Sequence, residues 1–370
     1  MKLTAFIDPY RLKEFLIFAI TAASVLVVAL LIGMIVHKLY IEFQTKRMER
    51  FRKEYVLAIS SQLIESDIEI GTPKGRMQRE ALGDVMIDML ASIAGDMEAK
   101  VKKLALDLGM SEHYVLNAKS GSRVNRLISV EKLGFLKLPE MKGFFRALLS
   151  EDGGDPEMLA RAVLALSFIA DAEEDLNVIN RILQNPLFRS AKFNEYAYTN
   201  VIKSFIKGKR EEYFLTFLDA LKDDPAVPVM LKRDIIEACG SEMFYPAKGI
   251  IMKYFKQFFH TPEMKIACIR ALGRIGGEDV CEMVGACLRD DDWRVRAVTA
   301  KNAYLCPADM AAHLKELLHD DNYYVRVNAA LSLSKLGDKG LAVLHEGMLS
   351  TDRFTVDVSR YILDEVRIRA

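Results

Sequence analysis

"DDDWRVRAVTAKNAY" (residues 290–304) and "HDDNYYVRVNAALSLSKLG" (residues 319–337) follow one plan: an acidic cluster, an aromatic residue, then Val-Arg and a run of small apolar residues. Val295 and Arg296 return thirty residues later as Val325 and Arg326. Working outward, "RVNRLISVEKLG" (residues 123–134) matches "RVNAALSLSKLG" (residues 326–337) at seven of twelve positions. "PEMLARAVLALSFIA" from Pro156 and "PEMKIACIRALGRIG" from Pro262 both open on proline, which a first helical turn tolerates, and continue with apolar residues at helical spacing. "NEYAYTNVIKSFIKG" and "VPVMLKRDIIEACGS" keep the same rhythm between them. Self-similarity at a period near 30 to 37 residues marks stacked repeats. Each repeat is a pair of amphipathic helices that cannot bury its apolar faces alone, so neighbours must stack.

Composition agrees. Leu, Ala, Met, Lys and Glu dominate while alternating Val/Ile runs are scarce, which is helical material. The 51 basic and 51 acidic residues cancel, so no global field steers nucleic acid. The cysteines, Cys239, Cys268, Cys281, Cys287 and Cys306, are odd in number and contain no Cys-x-x-Cys pair. They predict small core residues in a reducing compartment rather than a disulfide framework or a zinc site.

"DDNYYVRVNAALSLSKLG" resembles the HEAT-repeat pattern, in its short bacterial form related to phycobilisome-lyase repeats. The resemblance runs from 262 to 353, extends less closely over 121–171 and 190–260, and does not cover 15–36 or 38–110. It implies an all-α fold: a right-handed α-solenoid of helical pairs over residues 119–370. The acidic residues at 290–292 and 320–321 fall in turns where carboxylates cap the next helix. Trp293 and Tyr323 are expected to staple one repeat onto the next. The resemblance implies that Arg296 and Arg326 reach acids of an adjacent repeat, with Asp292 and Asp321 as candidate partners. Lys265 replaces Arg one repeat earlier, and Asp357 replaces it in the last.

The N-terminal region carries a different signal. Residues 15–36, from Phe15 to Val36, hold no charge. At about 1.5 Å per residue they match the roughly 30 Å hydrocarbon core. A soluble core helix rarely lacks a polar face for so long, and a cleaved signal peptide has a shorter apolar region and a small-x-small site. A transmembrane helix is therefore expected, behind a short non-cytoplasmic tail over 1–14. Lys38, Lys46, Arg47, Arg50, Arg52 and Lys53 follow the span, against Lys2, Arg11 and Lys13 before it. The excess predicts a cytoplasmic C-terminal domain on a bacterial inner (cytoplasmic) membrane. Residues 37–118 form a juxtamembrane helical segment. In it Phe51, Tyr55, Ile59 and Leu63 make an apolar stripe, Arg47, Arg50, Arg52 and Lys53 face lipid headgroups, "GTPKG" at 71–75 breaks the helix, and Ser111 is a candidate cap.

Motifs for chemistry are lacking. His37, His113, His260, His313, His319 and His345 contain no i,i+4 pair, and "HEGML" lacks the second histidine of a zinc protease. "LGRIGGED" follows a helix and reads as a turn, not a phosphate loop. "MKYFKQFFH" (residues 252–260) reads as an amphipathic helix with buried rings and snorkelling lysines rather than a nucleic-acid surface. No enzyme activity and no cofactor are expected. The chain reads as a membrane-tethered scaffold for another, membrane-associated protein, in the setting of a membrane glycosyltransferase or envelope polysaccharide assembly. The alternatives are a bilin-lyase-like enzyme and a signalling or cytoskeletal linker. In the HEAT-like arrangement the second helix of each pair lines the concave side, here near 278–289, 307–318 and 339–349. Its candidate partner-binding stripe is Glu282, Arg289, Lys315, Glu316 and Glu346. Because the repeats bury their own core, removal of residues 1–37 should leave a helical domain that stays in solution. Circular dichroism and gel filtration of the truncated chain check this; an aggregated or unfolded product would contradict it.

Overall fold

A computed structural model describes residues 9–64, 70–150, 155–185, 188, 190–277, 279–306 and 310–369. Residues 1–8 of the expected tail, with Lys2, lie outside the described residues, as do 278 and 307–309 at the starts of two expected second helices. The described chain is helical throughout, with no strand among the described residues. Two compact units meet between His113 and Tyr114.

The first unit contains α1 (Pro9–Ile64), α2 (Arg76–Ser92) and α3 (Asp96–Asp107), with α4 (Met110–Ser120) running across the boundary. The apolar segment 15–36 and the stripe after it belong to one unbroken 56-residue helix. The side chains of Phe15, Phe18, Leu30 and Val36 are all exposed. Further along, α1 packs on α2: Ile59 is fully buried, and Phe51, Tyr55 and Leu63 are half-buried on the same stripe. Arg52, expected at lipid headgroups, is instead committed to α2, pairing with Asp84 at 3.5 Å and Asp88 at 2.5 Å. Gly109, at φ 67°, ends the turn before α4. Ser111, the expected cap, lies inside α4, where its buried hydroxyl donates to Glu112 at 2.8 Å.

The second unit is built from α5 (Arg123–Phe135), α6 (Lys142–Ser150), α7 (Pro156–Ser167), α8 (Glu173–Leu183), α9 (Ala191–Lys207), α10 (Glu211–Asp223), α11 (Val229–Ser241), α12 (Lys248–Gln257), α13 (Pro262–Ile275), α14 (Asp279–Cys287), α15 (Trp293–Asn302), α16 (Met310–Leu317), α17 (Tyr323–Lys335), α18 (Asp338–Gly347) and α19 (Arg353–Arg369). Odd-numbered helices from α5 to α19 pack successively in one row, and even-numbered helices form a second row behind them. This is an α-solenoid.

The repeat is written into local chemistry. Ser122, Asp155, Ser190, Asp292, Asn322 and Asp352 each accept the amide of a residue two or three further on, at 2.8 to 3.5 Å, and so open a first-row helix. Each such cap contributes about 0.5–2 kcal/mol. Lys137, Lys209 and Met243 close α5, α9 and α11 with φ of 51°, 54° and 48°, and Gly276 (82°) and Gly337 (66°) do so for α13 and α17. A left-handed residue there satisfies the last carbonyls and turns the chain into the second row.

The two rows differ in spacing. A Cβ placed on Gly240 of α11 would meet the Cα of Ala271 in α13 at 2.5 Å, and one on Gly134 of α5 would meet the Cα of Ala165 in α7 at 2.9 Å. Gly143, Gly249 and Gly285, in the second row, are exposed and meet only open space at the same position, and neighbouring second-row helices contact one another less than neighbouring first-row helices do. Helices closer on one side than the other bend the stack toward the closer side. The concave face is therefore the first row, not the second that the HEAT-like pairing implies. Gly240→Ala should destabilise the second unit by about 1–3 kcal/mol through overpacking. Gly249→Ala should be neutral or stabilise it by up to about 1 kcal/mol. Denaturant midpoints of the two variants check the contrast.

Candidate partner-binding groove

A groove of about 960 Å³ opens on the first row, lined by α9, α11, α13, α15 and α17. Its floor is acidic and largely buried. Asp234, on α11, accepts Asn194 at 3.0 Å and Arg233 at 2.5 and 3.0 Å. Burial pushes its carboxyl up; the Asn194 amide and the Arg233 guanidinium pull back only part of that shift. Glu237, one turn on, receives Arg270 at 3.3 Å and Arg274 at 3.4 Å. Burial raises this carboxyl too, against the pull of both guanidinium charges. The walls carry rings: Trp293 of α15 stacks on Tyr324 of α17 with centroids 5.8 Å apart. The expected staple therefore joins Trp293 to Tyr324, while Tyr323 packs edge-on against Tyr324 at 5.7 Å.

Behind the groove a row of cations ties α11, α13, α15 and α17 to the segments packed around them. Lys232 donates to the carbonyls of Lys222 (3.0 Å) and Asp224 (2.8 Å) and lies 5.3 Å from the centre of the Phe258 ring. Lys265 is buried in an ion pair with Asp290 and lies over Phe259. Arg296 reaches Asp320 through Nε (2.7 Å) and Nη2 (3.0 Å), while its Nη1 donates to the carbonyls of Asp290 and Asp291. Arg326 donates to the carbonyls of Asp320 (2.6 Å) and Asp321 (3.0 Å) and covers the Phe354 ring at 4.9 Å. The acid that receives Arg296 is thus Asp320. Asp292 caps α15 and pairs with Arg294 at 2.6 Å, and Asp321 supplies its carbonyl. In register, the last such position is Val356; Asp357 lies one residue on and faces Arg353 at 3.7 Å.

The residues of the expected stripe lie together on the second row or in its turns. Glu282 pairs with Lys256 at 3.2 Å, Arg289 with Glu316 at 2.8 Å, and Lys315 with Glu346 at 2.5 Å. All are exposed, so each pair contributes about 0–1 kcal/mol. None of them lines the groove. Sequence reading missed Arg233, Glu237, Arg270, Arg274 and Lys301. Their signal was charge at helical spacing on helices treated as core.

The cysteines require a correction. Cys281 of α14 and Cys306, after α15, form a disulfide with Cα atoms 5.4 Å apart. Their separation of 25 residues hid that stacking makes adjacent segments of them. Cys239, Cys268 and Cys287 are buried and free. Burial pushes Cys239 up to about 12 and Cys287 up to about 11.

No protein-family profile matches the chain, and no curated protein does. Among solved structures it is similar to an engineered protein at 15% identity, covering 88% of this chain and 96% of that one with a TM-score of 0.37. It is similar to human deoxyhypusine hydroxylase in complex with glycerol at 15% identity, covering 85% and 96% with a TM-score of 0.25. It is also similar to Kap121p at 11% identity, covering 84% of this chain and 45% of that one with a TM-score of 0.34. These values assign neither family nor function.

The ladder makes a pH-dependent prediction. Burial pushes Asp320 up, but the Arg296 hydrogen bonds, the Asn322 amide and the nearby guanidinium charges outweigh it and hold the carboxyl below its ordinary value. A depressed carboxyl stabilises the fold above the unfolded-state value, and that contribution is lost as pH falls through the folded-state value. Arg296→Ala should cost about 3 kcal/mol at neutral pH, because it strands a part-buried carboxylate. The gap from the wild type should narrow as pH falls below the ordinary Asp range. Thermal unfolding across pH checks this; a gap independent of pH would contradict it.

Proposed function

We propose that this chain is a membrane-tethered scaffold: a right-handed HEAT-like solenoid that holds a segment of a membrane-associated protein in its first-row groove. The observation that carries the reading is the groove itself, continuous over five helices and lined by exposed arginines and stacked rings. A surface built from several repeats suits recognition of an extended chain. Residues 15–36 are the tether: one described helix is long and apolar enough to cross a membrane, and none of its most apolar window is buried. Arg47, Arg50 and Lys53 meet anionic headgroups beside it. A membrane glycosyltransferase of envelope polysaccharide assembly is the setting proposed for the partner.

The excess of basic residues after Val36 favours a cytoplasmic solenoid, whereas a standing disulfide belongs to an oxidising compartment. Alkylation of the denatured protein straight from membranes, without reductant, separates the two. On the cytoplasmic side all five cysteines of the chain should react. Reaction of only the three free thiols would place the solenoid on the oxidising side. The binding reading is tested by photo-crosslinkers at Val298, in the groove, and at Ala286, on the second row, in intact membranes. Val298 should capture one defined protein and Ala286 should not. Capture from neither position would contradict the scaffold.

A further inference from the structure

The groove is layered by charge. Asp234 and Glu237 lie at its floor with side chains 5% and 14% exposed, while Arg270, Arg274 and Arg294 stand above them at 50%, 47% and 47%. Lys301 is exposed beside them and has no ion pair among the described residues. The surface that a ligand meets first is therefore cationic, although the whole chain is neutral.

Arg294 is held by Asp292 at 2.6 Å and Glu263 at 3.2 Å, but the other two arginines are under-used. Arg270 and Arg274 share the single carboxylate of Glu237 at 3.3 and 3.4 Å, well beyond the roughly 2.7–2.9 Å of a strong charge-assisted bond. Both do so through Nη1, which in Arg274 also donates to the Ser241 hydroxyl at 3.2 Å, while their Nε and Nη2 groups donate to no described residue. A guanidinium held so loosely can turn onto an incoming carboxylate at little cost. Next to these cations, the stacked rings of Trp293 and Tyr324 remain 41% and 61% exposed. Such a pair offers apolar area at low entropic cost.

Resting on the binding reading above, we infer that the groove takes an extended acidic peptide segment of the partner, with carboxylates on Arg270, Arg274 and Lys301 and an apolar side chain on the Trp293–Tyr324 stack. Geometry sets the ligand's spacing. Packed helices lie about 8–10 Å apart. Side chains on one face of an extended chain recur about every 7 Å. An acid at every second or third residue therefore meets successive first-row helices. The floor carboxylates Asp234 and Glu237, with Glu263 on the wall, repel a ligand of unbroken negative charge. That disfavours a nucleic-acid backbone, whose affinity comes from neutralising consecutive phosphates.

The test uses the full chain in lipid nanodiscs and a fluorescent synthetic peptide with Glu at every second position, Ser between them and one Phe replacing a Glu so that it shares their face, against a peptide of equal length with Lys in place of Glu. The acidic peptide should bind and the basic one should not. Arg270→Glu combined with Arg274→Glu should weaken binding about tenfold or more, which is about 1.4 kcal/mol. Lys301→Glu, which breaks no ion pair, should act in the same direction, and Lys315→Glu on the second row should leave affinity unchanged. Equal binding of both peptides, unchanged affinity in the groove variants, or preferential displacement by linear polyphosphate would overturn the inference. If the groove variants are silent while Val298 still crosslinks to its partner in membranes, the ligand class is wrong and the scaffold stands. If that crosslink is also absent, the scaffold reading falls with it.

Discussion

The close approach of first-row helices governs the rest of the second unit. Between α11 and α13, Gly240 lies against Ala271 with no room for a Cβ, and Gly134 against Ala165 repeats the arrangement between α5 and α7. Neighbouring second-row helices contact one another less closely. The unequal spacing bends the stack, and the bend makes a groove rather than a flat wall. Arg270, Arg274 and Arg294 line that groove.

Close packing leaves the cations behind the rim part-buried, and a part-buried charge needs partners. Each is supplied by the next turn or the last one. Lys232 and Arg326 use backbone carbonyls and a ring, whereas Lys265 and Arg296 use the carboxylates Asp290 and Asp320. Those two carboxylates also accept the amides of Asp292 and Asn322 and so order the turns that lead into α15 and α17. One device therefore neutralises the charge, orders the turn and fixes the register between repeats. Coupling of this kind is local, so each repeat stabilises mainly its neighbours.

Much of the fold was legible in the sequence because its causes are local. The interval between Val295 and Val325, the proline at 262 and the glycines at 276 and 277 each report a nearby backbone requirement. The apolar run from Phe15 to Val36 likewise needs no partner to be recognised by length and composition. What stayed hidden depended on which surface faces which. The concave row was assigned to the wrong helix of each pair, because periodicity shows amphipathicity without showing which row is closer. The Cys281–Cys306 bond and the Arg296–Asp320 pair join segments that only stacking brings together. The groove residues were passed over for the same reason: Glu237 and Arg270 are ordinary helix charges until α11 and α13 are set side by side.

The first row is the proposed partner face. Hydrogen exchange of the full-length protein in membranes, with and without its crosslinked partner's native complex intact, reads this directly, since occupied helices gain protection. Protection should rise along α11, α13 and α15 and stay unchanged along α14, α16 and α18. Protection confined to the second row would contradict the account.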